Sequence, residues 1–225
     1  MTQRSSANTE KEAASASPSQ RPSGADADDT SLAGDIVAGT SGVSLEQYVA
    51  QLSDPKEPTS QQAARVLEAL TASKPELLAP QIEQLVSLLG STRLRAVETA
   101  ALCLPALARV TPAKVAKQLK TMQAAFPNAS EPAKDGLVRT FVALCVASVT
   151  YQKRLIESFE LALRTADVKQ LPGWVEHILP ALKGEPYAQA RAVAEQRVQD
   201  PALPRPVAQQ VADLLGIKLR PVPGK

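Results

Sequence analysis

Aromatic residues make up only 3% of this chain, and glycine is limited to 10 of its 225 positions. A β-sandwich or barrel draws on Tyr, Phe, Trp and Thr for its pleated faces, so this composition argues against one. One histidine, His177, and two separated cysteines, Cys103 and Cys145, supply no recognisable zinc-ligand spacing, and the expectation is that no metal or other cofactor is bound. Neither cysteine belongs to a CxxC pair. Both sit inside apolar helical stretches, as small core residues of a reducing compartment do. A run of about 18 apolar residues is also missing, and the nearest candidate, residues 137–149, is too short to span a bilayer. No apolar stretch that could act as a secretory signal occurs within residues 1–43. Phosphate-cradling glycine loops and dinucleotide fingerprints are missing as well. The expectation is a cytoplasmic protein without a membrane segment.

Charge of one sign is scarce too. The net formal charge is +2, too small to indicate nucleic acid, but it is unevenly placed. Residues 1–43 carry −3 and the remainder +5. The first 43 residues are dominated by Ser, Ala, Thr, Asp, Gly and Gln, without apolar periodicity. Such a segment buries too little surface to offset the entropy of ordering it, and is read as a disordered, low-complexity acidic tail.

What the chain does have is Ala, Leu and Val in helical periodicity, with 44% hydrophobic residues in total. A two-helix unit recurs at about 37 to 40 residues, the range of helical solenoid repeats. Leu78, Ile82, Leu85 and Leu89 mark one copy; Val115, Leu119, Met122 and Phe126 the next; Leu155, Phe159 and Leu163 a third. Around these, Ser44 with Gln47 reads as a capping box opening a helix over 45–52. Residues 56–59, which include Pro58, read as a connector, and Ser60 as the cap of a helix over 61–73. Pro75 suits a first helical turn, whereas Pro80 lies deeper and should bend its helix. Gly90 ends that helix, and Ser91 is expected to cap the next, which runs to about Val110 and whose apolar set begins at Leu94. Pro105 is a candidate kink there. The second unit reads as a helix over 113–126 and another over 131–149. The third reads as a helix over 151–165, a connection over 167–173 and a helix over 174–182. Helices over 187–199 and 207–215 follow, the last stopped by Gly216.

The Pro75-Glu-Leu-Leu-Ala-Pro-Gln-Ile-Glu-Gln-Leu-Val-Ser-Leu-Leu stretch and the Leu94-Arg95-Ala-Val97 opening resemble HEAT or armadillo-like α-helical repeats, over about residues 60–182. In that family a proline commonly bends the first helix and a basic residue sits early in the second. Pro80 and Arg95 match those positions. Lys134, 39 residues after Arg95, reads as its counterpart, while the later units lack the bending proline. The expected architecture is all-α: a right-handed α-solenoid of about four helical hairpins over 44–216, with the tail over 1–43 before it and an extended tail over 217–225 after it.

The basic residues at repeat positions divide two readings. Arg65, Arg95, Lys134, Arg139 and Arg191 would form a stripe if their helices line one face, and are the candidate partner-binding residues. Against this, Glu68, Glu98, Asp135 and Glu195 lie close enough in sequence to neutralise them and make them devices that hold register. Function is expected to be non-catalytic protein–protein interaction, by an adaptor or regulatory subunit that presents its concave surface to another protein or peptide. The alternative is a nucleic-acid-binding repeat protein using the basic stripe, whose affinity would fall steeply with salt. A third reading is an enzyme using His177 as general base, or as the partner of a nucleophilic cysteine, a pairing that requires the imidazole to approach Cys103 or Cys145.

Overall fold

The computed structural model describes residues 44–219 together with Gly34 and Gly42. The expected acidic tail over 1–43, apart from Gly34 and Gly42, and residues 220–225 lie outside the described residues. Eleven α-helices form among the described residues, with no strand. They are α1 (Leu45–Gln51), α2 (Glu57–Ser73), α3 (Ile82–Leu88), α4 (Leu94–Val110), α5 (Pro112–Lys117), α6 (Leu119–Ala125), α7 (Glu131–Ala147), α8 (Thr150–Thr165), α9 (Gln170–Ala181), α10 (Gly184–Val198) and α11 (Arg205–Leu215). A 3-10 segment, Pro75–Gln81, precedes α3, and another, Phe126–Asn128, follows α6.

The helices pair and stack in two layers. One row consists of α2, α4, α7, α9 and α11, each packed on the next. The other consists of α1, residues 75–88, residues 112–125, α8 and α10. Five hairpins result, including a short one at each end, where about four were expected. One apolar core runs the length of the stack, from Tyr48 to Leu215, because each pair is too thin to exclude water without its neighbour. The marker residues of all three copies, from Leu78 to Leu163, are buried in it. Leu94, where the apolar set of α4 was expected to begin, and Val149, where the second unit was expected to end, are exposed. Leu94 is the first residue of α4 and Val149 lies between α7 and α8, where no neighbouring helix covers them.

Helix starts explain most differences from the sequence reading. Ser44 and Gln47 do form a reciprocal capping box, with Gln47 N–H donating to Ser44 Oγ and Ser44 N–H to Gln47 Oε1. Ser60 caps nothing: α2 already begins at Glu57, with Pro58 in its first turn. The Ser60 hydroxyl donates back to the Leu52 carbonyl at 3.0 Å and pins the end of α1. Pro132, Pro172, Pro186 and Pro206 likewise stand in first turns, so α9, α10 and α11 start earlier than expected. The N–H that proline lacks has no partner in a first turn, so it costs nothing there. At α9 the Asp167 carboxylate accepts the Lys169 and Gln170 N–H groups and opens the helix inside the expected connection. Arg93, not Ser91, is the N-cap of α4, and Ser91 Oγ accepts the Arg93 N–H. α4 passes through Pro105 unbroken.

The repeat is visible in the backbone. Lys74 (φ −144°, ψ 61°) and Thr111 (φ −137°, ψ 58°) precede the first helices of consecutive units. Gln81 (φ −94°, ψ 5°) and Gln118 (φ −92°, ψ 8°) interrupt them at the same place. Both pairs are 37 residues apart, as are the starts of α4 and α7. In this register Arg95 corresponds to Pro132, so Lys134 is not its counterpart. The third unit has no such break, and α8 is continuous.

Two features bind the middle of the stack. All three phenylalanines and the single tryptophan form one chain of ring contacts, Trp174–Phe126–Phe141–Phe159, with centroids 6.3 to 6.4 Å apart. α4 and α7 meet at Gly136, where a Cβ would lie 2.4 Å from the Ala101 carbonyl oxygen.

Candidate partner-binding groove

The outward side of α4, α7 and α9 is not covered by the other layer. A cavity of about 380 Å³ lies there, floored by Val142, Ala143 and Val146 of α7 and walled by Arg109, Arg139 and His177. A neighbouring depression of about 570 Å³ extends from Glu68 of α2 past Leu102 and Pro105 of α4 to Asp135 of α7. The two share Arg109 and Arg139, so they form one groove crossing four helices of the same row. Its apolar side chains are open to solvent: Leu102 is 52% exposed and Val146 73%. A separate depression of about 650 Å³ lies beside α10, where Arg197 is already engaged with Asp200 and the Ala166 carbonyl.

The structure distributes the five basic residues read from the sequence. Arg95 and Arg139 line the groove, and each has a carboxylate partner. Arg95 reaches Glu57 of the preceding pair at 2.6 Å, an interaction that ties α4 to α2. Arg139 donates Nε–H to Asp135, one turn away on its own helix. Lys134 is held by Glu131 and is largely covered. Arg65 lies on α2, close enough to Glu68 to influence its ionisation. Arg191 is in the other layer altogether. Its guanidinium contacts Glu195, Tyr187 Oη and the Leu215 carbonyl, closing the last hairpin. The stripe is therefore not assembled as one surface.

Arg109 was not among the sequence candidates, yet it stands at the junction of both cavities and makes no ion pair among the described residues. Its place in the last turn of α4 reads as a helix-dipole complement, which hides it in a sequence. Leu102 and Val146 were missed because exposure depends on how the two helices dock, and periodicity does not record that.

Burial raises the Glu68 carboxyl above its ordinary value, with Arg95 and Arg65 opposing the shift. Burial also pushes the thiols of Cys103 and Cys145 up, to about 11 and about 12. Both sulfurs are sealed in the core, whereas His177 faces the groove. The thiolate needed for nucleophilic attack is thus disfavoured at both cysteines. No cluster of three or more His, Cys, Asp or Glu among the described residues is placed to hold a metal ion.

Polar side chains lock successive pairs together. Trp174 Nε1–H donates to Asp135 at 3.0 Å, and Gln123 Nε2 donates to the Arg154 carbonyl and Ser158 Oγ. Gln152 accepts the Lys183 N–H and donates to the Ala181 carbonyl. These bonds join residues 29 to 39 positions apart, and the Trp174–Asp135 bond ties together α9 and α7, two of the groove's helices.

No protein-family profile and no curated protein sequence matches the chain. Solved structures do. An engineered protein from a structural genomics programme superposes with a TM-score of 0.60 at 16% identity, over 85% of this chain and 88% of its own. Computationally designed armadillo repeat proteins for modular peptide recognition give a TM-score of 0.60 at 18% identity, over 84% of this chain and 90% of theirs. At these identities the likeness concerns the backbone, and it agrees with the two-layer stack and the 37-residue dihedral repeat. The chain has the armadillo-like α-helical repeat fold.

Proposed function

We propose that this protein is a non-catalytic protein–protein interaction module, an adaptor or regulatory subunit, whose helical body over 44–216 receives a peptide segment of its partner along the α2–α4–α7–α9 face. The observation that carries the reading is the groove itself, where Leu102 and Val146 stay exposed on helices locked by cross-pair bonds. Apolar groups held rigidly in water are what a partner gains most by covering, and little further order has to be imposed on binding. The similarity to armadillo repeat designs made for peptide recognition supports the same use of the surface. Of the five basic candidates, Arg95 and Arg139, which line the groove, are the proposed partner-binding residues. No helix among the described residues is long and apolar enough to cross a membrane. Two buried free thiols fit the proposed reducing, cytoplasmic setting.

Recognition of nucleic acid through a basic stripe has less support, because Arg95, Lys134, Arg139 and Arg191 each carry a carboxylate partner. Catalysis by His177 lacks an activated thiol beside it.

The test compares the full chain with Leu102→Asp/Val146→Asp, both exposed positions. The proposal expects proteins co-purifying with the native chain from its own cells to be lost from this variant at unchanged helical content, and to be retained by Leu161→Asp on the other layer. Equal loss from both variants would contradict it. Salt-reversible nucleic acid that is lost from Arg95→Glu/Lys134→Glu would favour the alternative.

A further inference from the structure

We infer that the groove is selective for an acidic, apolar-flanked peptide segment, with one carboxylate of the partner seated between Arg109 and Arg139 and its apolar neighbours on Val142 and Val146. This rests on the proposed peptide-binding function and adds the chemistry of the ligand. The argument is charge complementarity. The lining of the 380 Å³ cavity holds two arginines, Arg109 and Arg139, and no carboxylate. Asp135, which pairs with Arg139, is outside that lining and is already shared between Arg139 Nε–H and Trp174 Nε1–H. Arg109 has no carboxylate partner among the described residues, and its side of α4 is open to solvent.

A guanidinium left without an anion beside exposed valine presents a two-part address. Its charge attracts a carboxylate, and the adjoining apolar floor rewards a neighbouring Leu, Val or Ala. A planar guanidinium binds carboxylate with paired, charge-assisted hydrogen bonds, whereas a partner lysine would have to approach the unpaired charge of Arg109. The other half of the groove is different: Glu68, Glu98 and Asp135 are matched by Arg95, Arg109 and Arg139, so its lining offers no net preference. Selectivity therefore resides at the α4–α7–α9 end, and the α2–α4 end contributes apolar area through Leu102.

The probe is a fluorescein-labelled synthetic peptide of alternating Asp and Leu, about twelve residues long, titrated with the full chain and followed by anisotropy. Asn-Leu and Lys-Leu versions serve as comparisons. The acidic peptide is expected to bind at least about tenfold tighter than the Asn version, since a charge-assisted hydrogen bond is lost. Arg109→Gln should reduce that preference to near unity, and added salt should weaken binding of the acidic peptide alone. If Asn and Lys versions bind as tightly, and all three are lost with Leu102→Asp/Val146→Asp, the groove reading stands and acid selectivity is overturned. If no peptide binds, or the Leu102/Val146 change has no effect, both fall. The chain's own acidic stretch, with Asp26, Asp28 and Asp29, is a competing occupant. Asn at all three positions in the full chain should leave affinity for the acidic peptide unchanged; a tenfold gain would identify that stretch as the occupant and overturn the partner.

Discussion

A single methyl group decides how closely α4 and α7 approach. A Cβ at Gly136 would stand 2.4 Å from a backbone oxygen of Ala101, which has no flexible end to move aside. Gly136→Ala should therefore force the two helices apart and lower stability by about 1 to 3 kcal/mol, read as a shifted urea midpoint. Gly173 is the control. It lies inside α9 with nothing within 4 Å of its Cβ position. Alanine there should be neutral or stabilise by up to about 1 kcal/mol. An equal gain for both would mean that helix propensity, not close approach, governs position 136. The buried thiols make a second prediction at this scale. They ionise near 9.0 when exposed but only at about 11 and about 12 in the fold. Above about pH 9 the unfolded chain gives up protons that the folded chain retains. The stability these thiols contribute is thus complete below pH 9 and declines as pH rises through the folded values. The Cys103→Ala/Cys145→Ala variant should show a shallower alkaline decline, and the native thiols should resist a disulfide reagent at pH 8 until denaturant is added.

Between pairs of helices, the break in the first helix of each unit shows what proline does and does not do. Pro80 stands before the interruption at Gln81, and a sequence reader assigns the bend to it. Gln118 repeats the same dihedral angles with Lys117 before it, so the interruption belongs to the repeat geometry rather than to proline. What Pro80 changes is the segment before the break, which is 3-10 over Pro75–Gln81 but α-helical over Pro112–Lys117. Pro80→Ala is expected to convert the first to α-helix while Gln81 keeps its non-helical angles, as backbone chemical shifts would report. A continuous helix through Gln81 would return the bend to proline. The same logic sets the limit of legibility for the elements. Periodicity located every helix whose apolar side faces the core, because burial requires a 3.6-residue spacing. The helices start at Glu57, Gln170, Gly184 and Arg205, earlier than the sequence reading places them, each with a proline inside its first turn. Which use a proline has depends on the N–H groups around it, not on its neighbours' identity alone.

For the molecule as a whole, stacking is the source of both stability and surface. Each pair leans on the next, and the core runs unbroken from Tyr48 to Leu215. The layered architecture was legible in the sequence because repeated spacing is a one-dimensional signal. The groove was only half legible. Arg95 and Arg139 were found by their repeat positions, whereas Arg109, Leu102 and Val146 acquire meaning only when α4 lies beside α7 and α9. Arg191 illustrates the reverse: it looks like a stripe member but belongs to the opposite layer, holding Leu215. The account's central claim is that the α2–α4–α7–α9 face is where a partner sits. The most direct test is a methyl-resolved NMR titration of the full chain with the acidic Asp-Leu peptide. The account predicts that shifts concentrate at Leu102, Val142 and Val146, with Leu161 and Val193 of the other layer unmoved. Shifts centred on Leu161 and Val193, with Leu102 and Val146 unchanged, would contradict it.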